Sequence, residues 1–203
     1  MAADFVPPSD TDATLRTERL LLRPVRTDDA PLVFPHASDP QLTRYLTWTP
    51  HRDVGDSAAF LRHAGNARVQ GNGWVWSIFE EGQFRGVVGV EAIARGRGAI
   101  RYDRGELGYW VGRPHHGRGI ATEAAAAAVA FGFRRLALHK IVVRAATENP
   151  ASLAVIRKLG FTRVGLMRQD HVRDGVWLDV EAFEMLAADR AAGDLQRAAA
   201  ADR

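Results

Sequence analysis

A short apolar strand, a turn broken by glycines and a helix built almost wholly of alanine follow one another in GELGYWVGRPHHGRGIATEAAAAAVAFGF, residues 105 to 133. Small side chains let such a helix sit close to a sheet, with its first turn aimed at the end of the strand that precedes it. The first N–H groups of a helix have no partner inside it, and with the helix dipole they favour an anion. Gly117 and Gly119 let the backbone approach a ligand where a Cβ would obstruct it. No Ser, Thr, Asn or Asp immediately precedes Ile120 to cap those amides internally.

A tight turn without a ligand would use the same glycines, and Gly-Arg-Gly recurs at 96–98 in what reads as a connecting loop with no helix after it. If an anion is held, three phosphate sites compete. A nucleoside-triphosphate loop ends in Gly-Lys-Ser/Thr, which does not occur here. A dinucleotide fingerprint needs a third glycine where Thr122 stands, and an acid at the end of the next strand where Arg144-Ala145 stand. The pyrophosphate of coenzyme A is the third. Glu123, in the first helical turn, complements the dipole but would repel the anion if it faced it.

The rest of the chain frames this unit. RLLLRPV (19–25) reads as a first strand closed by Pro24. Thr27-Asp28-Asp29 caps a helix toward Phe34, Asp39-Pro40 opens a short helix through Tyr45 and Leu46, and a third helix covers Asp53 to Val69. WVWSIFEEGQFRGVVGVEAI (74–93) is a hairpin about Glu81-Gly82. HKIVVRA (139–145) is a buried strand, and NPASLAVIRKLGF supplies a helix capped by Asn149, begun by Pro150 and ended by Gly160. Two final strands meet at Asp174-Gly175. The order predicts an α/β protein: a mixed sheet of about seven strands with helices on both faces. Residues 1–14 form a flexible leader, 15–186 a single domain, and 187–203 a helical or disordered tail.

Composition narrows the chemistry. With 46% hydrophobic and 25% charged residues in 203, the chain has the make-up of a soluble globular protein. The longest apolar run, Ala124 to Phe133, is too short to span a bilayer, and the acidic N-terminus lacks the features of a signal peptide, so a cytoplasmic location is expected. The absence of cysteine removes disulfides, thiolate metal sites and cysteine nucleophiles. A net charge of +3 suits a phosphate-bearing small ligand and gives no concentrated basic patch for nucleic acid. His115 and His116 have no third metal ligand at a recognisable spacing, so no metal is expected.

Taken together, ELGYWVGRPHHGRGIATEA and NPASLAVIRKLGF resemble the GNAT superfamily of N-acetyltransferases, in its RimJ/RimL-type ribosomal-protein branch. TERLLLRPV and RYLTWTP look like the same branch, and the resemblance covers residues 15 to 186. The superfamily's acyl-CoA loop reads Gln/Arg-x-x-Gly-x-Gly/Ala. Gly119 and Ala121 match it, while His116 replaces the usual Gln or Arg. The resemblance implies acetyl-CoA as co-substrate. Its pantetheine arm would pair with backbone at Trp110 and Val111, between strands 105–111 and 139–145. Its pyrophosphate would lie on the amides of Gly117, Arg118, Gly119, Ile120, Ala121 and Thr122, beside His116.

Direct attack of an amine on a thioester needs a deprotonated nucleophile, a polarised carbonyl and a proton for the thiolate, but no enzyme nucleophile. At pH 7 an α-amine of pKa about 8 needs roughly 1.4 kcal/mol to lose its proton, against roughly 4.6 for a lysine amine at about 10.4. The resemblance implies Glu106 as base; a strand-end acid paired with a nearby arginine is the alternative. Val155 and Ile156 stand where many relatives place a tyrosine, and the RimL-type branch implies Ser152 as donor to the thiolate. Asn149 would bond the pantetheine, although both residues also suit a helix cap. Trp48 is a candidate substrate wall by family position. Trp177 and Asp179 share a face of the last strand with Glu181 and Phe183, and Asp179 could meet a cationic amine. The expected acceptor is the α-amine of a protein or peptide. A small-molecule amine, or a non-catalytic acyl-CoA sensor, are the other readings. The protein is expected to act as a monomer or homodimer, without membrane or nucleic-acid partners.

Overall fold

The computed structural model describes residues 8, 9, 11–95 and 103–190. The Gly-Arg-Gly repeat at 96–98 and the tail beyond 190 lie outside the described residues, as does most of the leader. Strands β1 (Leu15–Arg16) and β2 (Leu20–Pro24) precede helices α1 (Ala30–Ala37), α2 (Pro40–Thr43) and α3 (Val54–Val69). Strands β3 (Trp74–Glu80), β4 (Gln83–Ala94) and β5 (Arg104–Val111) follow, then α4 (Ile120–Arg134), β6 (Lys140–Ala146), α5 (Pro150–Leu159), β7 (Thr162–Arg173) and β8 (Val176–Leu186). They form one mixed sheet of eight strands in the order β1-β2-β3-β4-β5-β6-β8-β7. The strand added to the expected set is β1, whose two residues carry no periodic signal of their own. Residues 11–14, read from sequence as leader, fold onto the sheet: Ala13 is buried, and its carbonyl accepts a 2.6 Å hydrogen bond from Trp76 Nε1.

Each face of the sheet carries its own core. On one face α4 and α5 set Ile120, Ala124, Ala128 and Ile156 against Trp76, Val88, Leu107 and Ile141. On the other, α1 and α3 set Val33, Leu61 and Ala64 against Val75, Val87 and Trp110. The alanine run does what its size suggests: Ala124, Ala125 and Ala128 are wholly buried. A Cβ at Gly132 would stand 2.8 Å from Ile141 Cδ1, so α4 lies close on β6 at this point. α5 has the expected boundaries, with Asn149 Oδ1 accepting from the Ser152 amide at 3.1 Å and Gly160 ending the helix at φ 82°. The short helix α2 stops at Thr43, before the expected Tyr45 and Leu46.

β5 and β6 are the parallel pair, and they stay paired only over Arg104–Glu106 and Lys140–Val142. Beyond Glu106, β5 continues along β4 to Val111, while β6 follows β8 to Ala146. The two strands therefore part, leaving the edge of residues 107–111 without a strand partner. A second irregularity lies opposite. Between Glu91↔Glu106 and Ala94↔Arg104 the register shifts, with Ala92 at φ 48°, so β4 carries a bulge just past Glu91.

Candidate active site

The turn after β5 delivers open amides to the mouth of this parting. Gly117 and Gly119 have φ of 75° and 78°, a region a glycine enters without steric cost, and Gly119 starts α4 with no side-chain cap. The charged side chains around it are paired with one another, and Arg19 also donates to the Arg118 carbonyl at 3.1 Å. Arg19 binds both oxygens of Glu123 through its backbone amide and guanidinium, and the Thr17 hydroxyl adds a 2.5 Å bond. Burial pushes the Glu123 carboxyl up, but the bonds from Thr17 and Arg19 outweigh it and hold the group below its ordinary range. The repulsion foreseen from this acid is thus offset by its pairing with Arg19. Arg118 reaches Glu80 at 2.8 Å, leaving its backbone as the part in the loop.

His116 bonds the Val111 carbonyl at 2.7 Å through Nε2, so this substitution for Gln or Arg closes the turn on its own strand. His36 lies against Gly112, where an added Cβ would come within 2.4 Å of its Nδ1, and Arg113 pairs with Asp39 at 3.1 Å. The first helices thereby brace the loop. Among the described residues no group of three or more His, Cys, Asp or Glu could hold a metal ion.

The candidate acid and base groups fall on opposite faces of β5. On the α5 side, Tyr109 Oη lies 2.9 Å from Ser152 Oγ. Burial pushes the phenol up to about 12, against a smaller opposing effect of the serine bond. Sequence reasoning looked for a tyrosine on the helix and overlooked this one on the strand. Asn149 uses Oδ1 for the cap, and its amide nitrogen makes no bond among the described residues.

On the other face Glu106 is gripped in bidentate fashion by Arg144, at 2.9 and 3.0 Å. This is the arginine pairing weighed from sequence. Directly across β4 stands Glu91, which sequence reasoning did not single out. Its carboxyl is raised first by burial, then lowered by His63 and raised by Glu106. Trp110 on the same face packs edge-on to Trp48 with ring centres 6.3 Å apart, so the expected wall residue reaches the strand that ends in the loop. Arg173 ties the Trp48 carbonyl to the β7–β8 hairpin at 2.8 Å. Trp177 on that hairpin is 57% exposed. Asp179 accepts from the Gln169 amide at 2.8 Å, inside a register shift of β7, and pairs with no cation among the described residues.

The sheet is thus opened between two parallel strands, with an uncapped helix start following one of them. The profile of the acetyltransferase (GNAT) domain matches residues 19–162. The chain is 33% identical over 175 residues to uncharacterized N-acetyltransferase p20 of Bacillus licheniformis, covering 85% of this chain and 96% of that one. It is 28% identical over 173 residues to the [ribosomal protein uS5]-alanine N-acetyltransferase of Escherichia coli, covering 81% and 86%. Among solved structures, a RimL ribosomal L7/L12 α-N-protein acetyltransferase in complex with coenzyme A superposes with a TM-score of 0.78 at 22% identity, over 85% and 97% of the two chains. RimJ of Mycobacterium smegmatis gives 0.75 at 26%, over 84% and 83%. The chain belongs to the GNAT family of N-acetyltransferases. Among the described residues, no helix is long and apolar enough to cross a membrane.

Proposed function

We propose that the protein transfers an acetyl group from acetyl-CoA directly to the α-amine of a protein or peptide. The observation that carries this reading is the parting of β5 from β6 beside the uncapped amides of α4. When bound, acetyl-CoA supplies an electrophilic thioester carbonyl and a thiol leaving group. The residues present fit it. Trp110 and Val111 lie on the part of β5 that β6 has left, suited to an amide-bearing arm, with the Val111 carbonyl already accepting from His116. Gly117 to Thr122 offer amides to a pyrophosphate, and the free amide nitrogen of Asn149 faces no competing partner among the described residues.

Ser152, bonded to Tyr109, supplies a proton to the departing sulfur, with the phenol as its reserve donor. Across the strand, the carboxylates of Glu106 and Glu91 form a floor that takes the proton of the acceptor amine. With both oxygens on Arg144, Glu106 also fixes the charge and position of that floor. Trp48 and Trp110 wall the acceptor's approach. The ribosomal-protein enzymes among the relatives support a protein α-amine, as does the modest 1.4 kcal/mol or so needed to deprotonate one at pH 7.

The test is thiol release with a panel of peptides bearing free α-amines beside small amines, with products located by mass spectrometry. Acetylation at peptide N-termini is expected. Exclusive modification of small amines would overturn the acceptor, and binding of CoA without turnover of any amine would make the protein a sensor.

A further inference from the structure

The seam where β5 and β6 part is covered on one face by α4 and α5, so an amine must come from the other. There α1 and α3 pack over β3 to β5, and Arg144 on β6 remains exposed. Two carboxylates meet the incoming amine, and their surroundings differ. Glu106 has each oxygen committed to a guanidinium nitrogen. Glu91 makes no hydrogen bond or ion pair among the described residues.

Its direction is set by the bulge. Ala92 sits at φ 48°, and the Ile93 amide leaves the ladder to bond the Asn72 carbonyl at 2.8 Å. The stem of Glu91 then rests beside Gly73, and its head runs along the sheet over the facing glycines of β4 and β5. Glu91 Oε1 lies 3.1 Å from where a Cβ would stand at Gly89 and 3.7 Å from one at Gly108. A Cβ at Gly89 would crowd the carboxylate, and one at Gly108 would touch it. The carboxylate thereby extends past the last paired residue of β5, Glu106, toward the opened part of the strand.

We infer that Glu91, lying over Gly89 and Gly108, is the group that accepts the acceptor amine's proton, and that Glu106, clamped by Arg144, is its positioning partner. This rests on the acyl-transfer reading above. The ammonium gives one proton to Glu91, and the freed amine forms the C–N bond as the C–S bond breaks. Glu91 passes that proton to solvent and then takes the nitrogen's second proton, while Ser152 protonates the departing sulfur and is reprotonated from solvent through Tyr109, so that one proton is released net. The charged groups around Glu91 are His63 from α3 and Glu106 from β5, with Arg144 of β6 and Asp170 of β7 beyond them. Burial and Glu106 raise the carboxyl, keeping it a better base than an exposed glutamate.

Three measurements test this. With an α-amine peptide that the wild type turns over, Glu91→Gln should lower kcat about a hundredfold at pH 6.5. The gap should close above about pH 9, where the amine deprotonates unaided. Glu91→Asp should restore part of the loss. Glu106→Gln should keep the acid limb of the rate profile but move it to lower pH, because it removes the negative charge that raises Glu91. Without any acceptor present, carbon-13 NMR should show one glutamate titrating above the ordinary range, absent in Glu91→Gln and lowered in Glu106→Gln. Calorimetry should find CoA binding unchanged in Glu91→Gln. Wild-type rates in Glu91→Gln, or an equal loss at every pH, would overturn the role of Glu91 alone. A wild type that acetylates no amine would overturn the acyl-transfer reading, and Glu91 with it.

Discussion

Two helices lie side by side on one face of the sheet and begin in opposite ways. α5 starts closed: Asn149 accepts from its third amide, Pro150 has no N–H to satisfy, and Gly160 finishes it. α4 starts open: Gly119 is left-handed, no side chain caps it, and the one acid in its first turn is bound by Thr17 and Arg19. The first amides of α4 thus lack the side-chain acceptor that α5 has, which is what the proposed pyrophosphate site requires.

The contrast can be broken experimentally. Gly119→Val forces a β-branched residue to φ 78°, which strains the turn and misdirects its amides. CoA affinity should fall roughly a hundredfold, about 2.7 kcal/mol, by calorimetry. Unchanged affinity would remove the loop from the binding site. At the closed helix, Asn149→Ala should cost about 1 kcal/mol of stability, lowering the melting temperature by roughly 3 °C. If CoA affinity falls as well, Asn149 holds the pantetheine besides capping. The smallest effect concerns Tyr109. Its phenol, at about 12, is lowered by the Ser152 bond, so Ser152→Ala should move the phenolate absorbance to still higher pH. That variant leaves the cap on the residue-152 amide in place, so stability should change little while turnover drops.

How much of this was legible in the chain depends on how local each signal is. The ends of α5 were readable because Asn149, Pro150 and Gly160 act on their own backbone. The hairpin at Glu81-Gly82 was readable for the same reason, with φ of 50° and 75° at the two residues. β1 was not, since two residues become a strand only when Leu15 and Arg16 meet Leu22 and Leu21. In the site, the glycine turn was visible and Glu106 was a reasonable choice, but Glu91 was not. The role proposed for it comes from a cross-strand register, a bulge and two facing glycines, none of which marks a carboxylate in the sequence. Tyr109 escaped because the donor was sought on the helix, and only the fold sets its hydroxyl against Ser152.

The clasp between Arg118 and Glu80 bears on how the turn would hold the pyrophosphate proposed for it. Glu80 is buried and also receives Arg85 at 3.1 Å, so Arg118 is tied to the body of the protein, as Arg113 is by Asp39 and Arg19 by Glu123. A grip made of peptide dipoles in place of mobile cations has little ionic atmosphere to displace. Such a grip should weaken only slightly as salt is added and the Debye length shrinks from about 10 Å at 0.1 M to about 3 Å at 1 M. The enzyme would then hold its acyl donor by shape at the turn and keep its affinity across the ionic strengths a cell encounters.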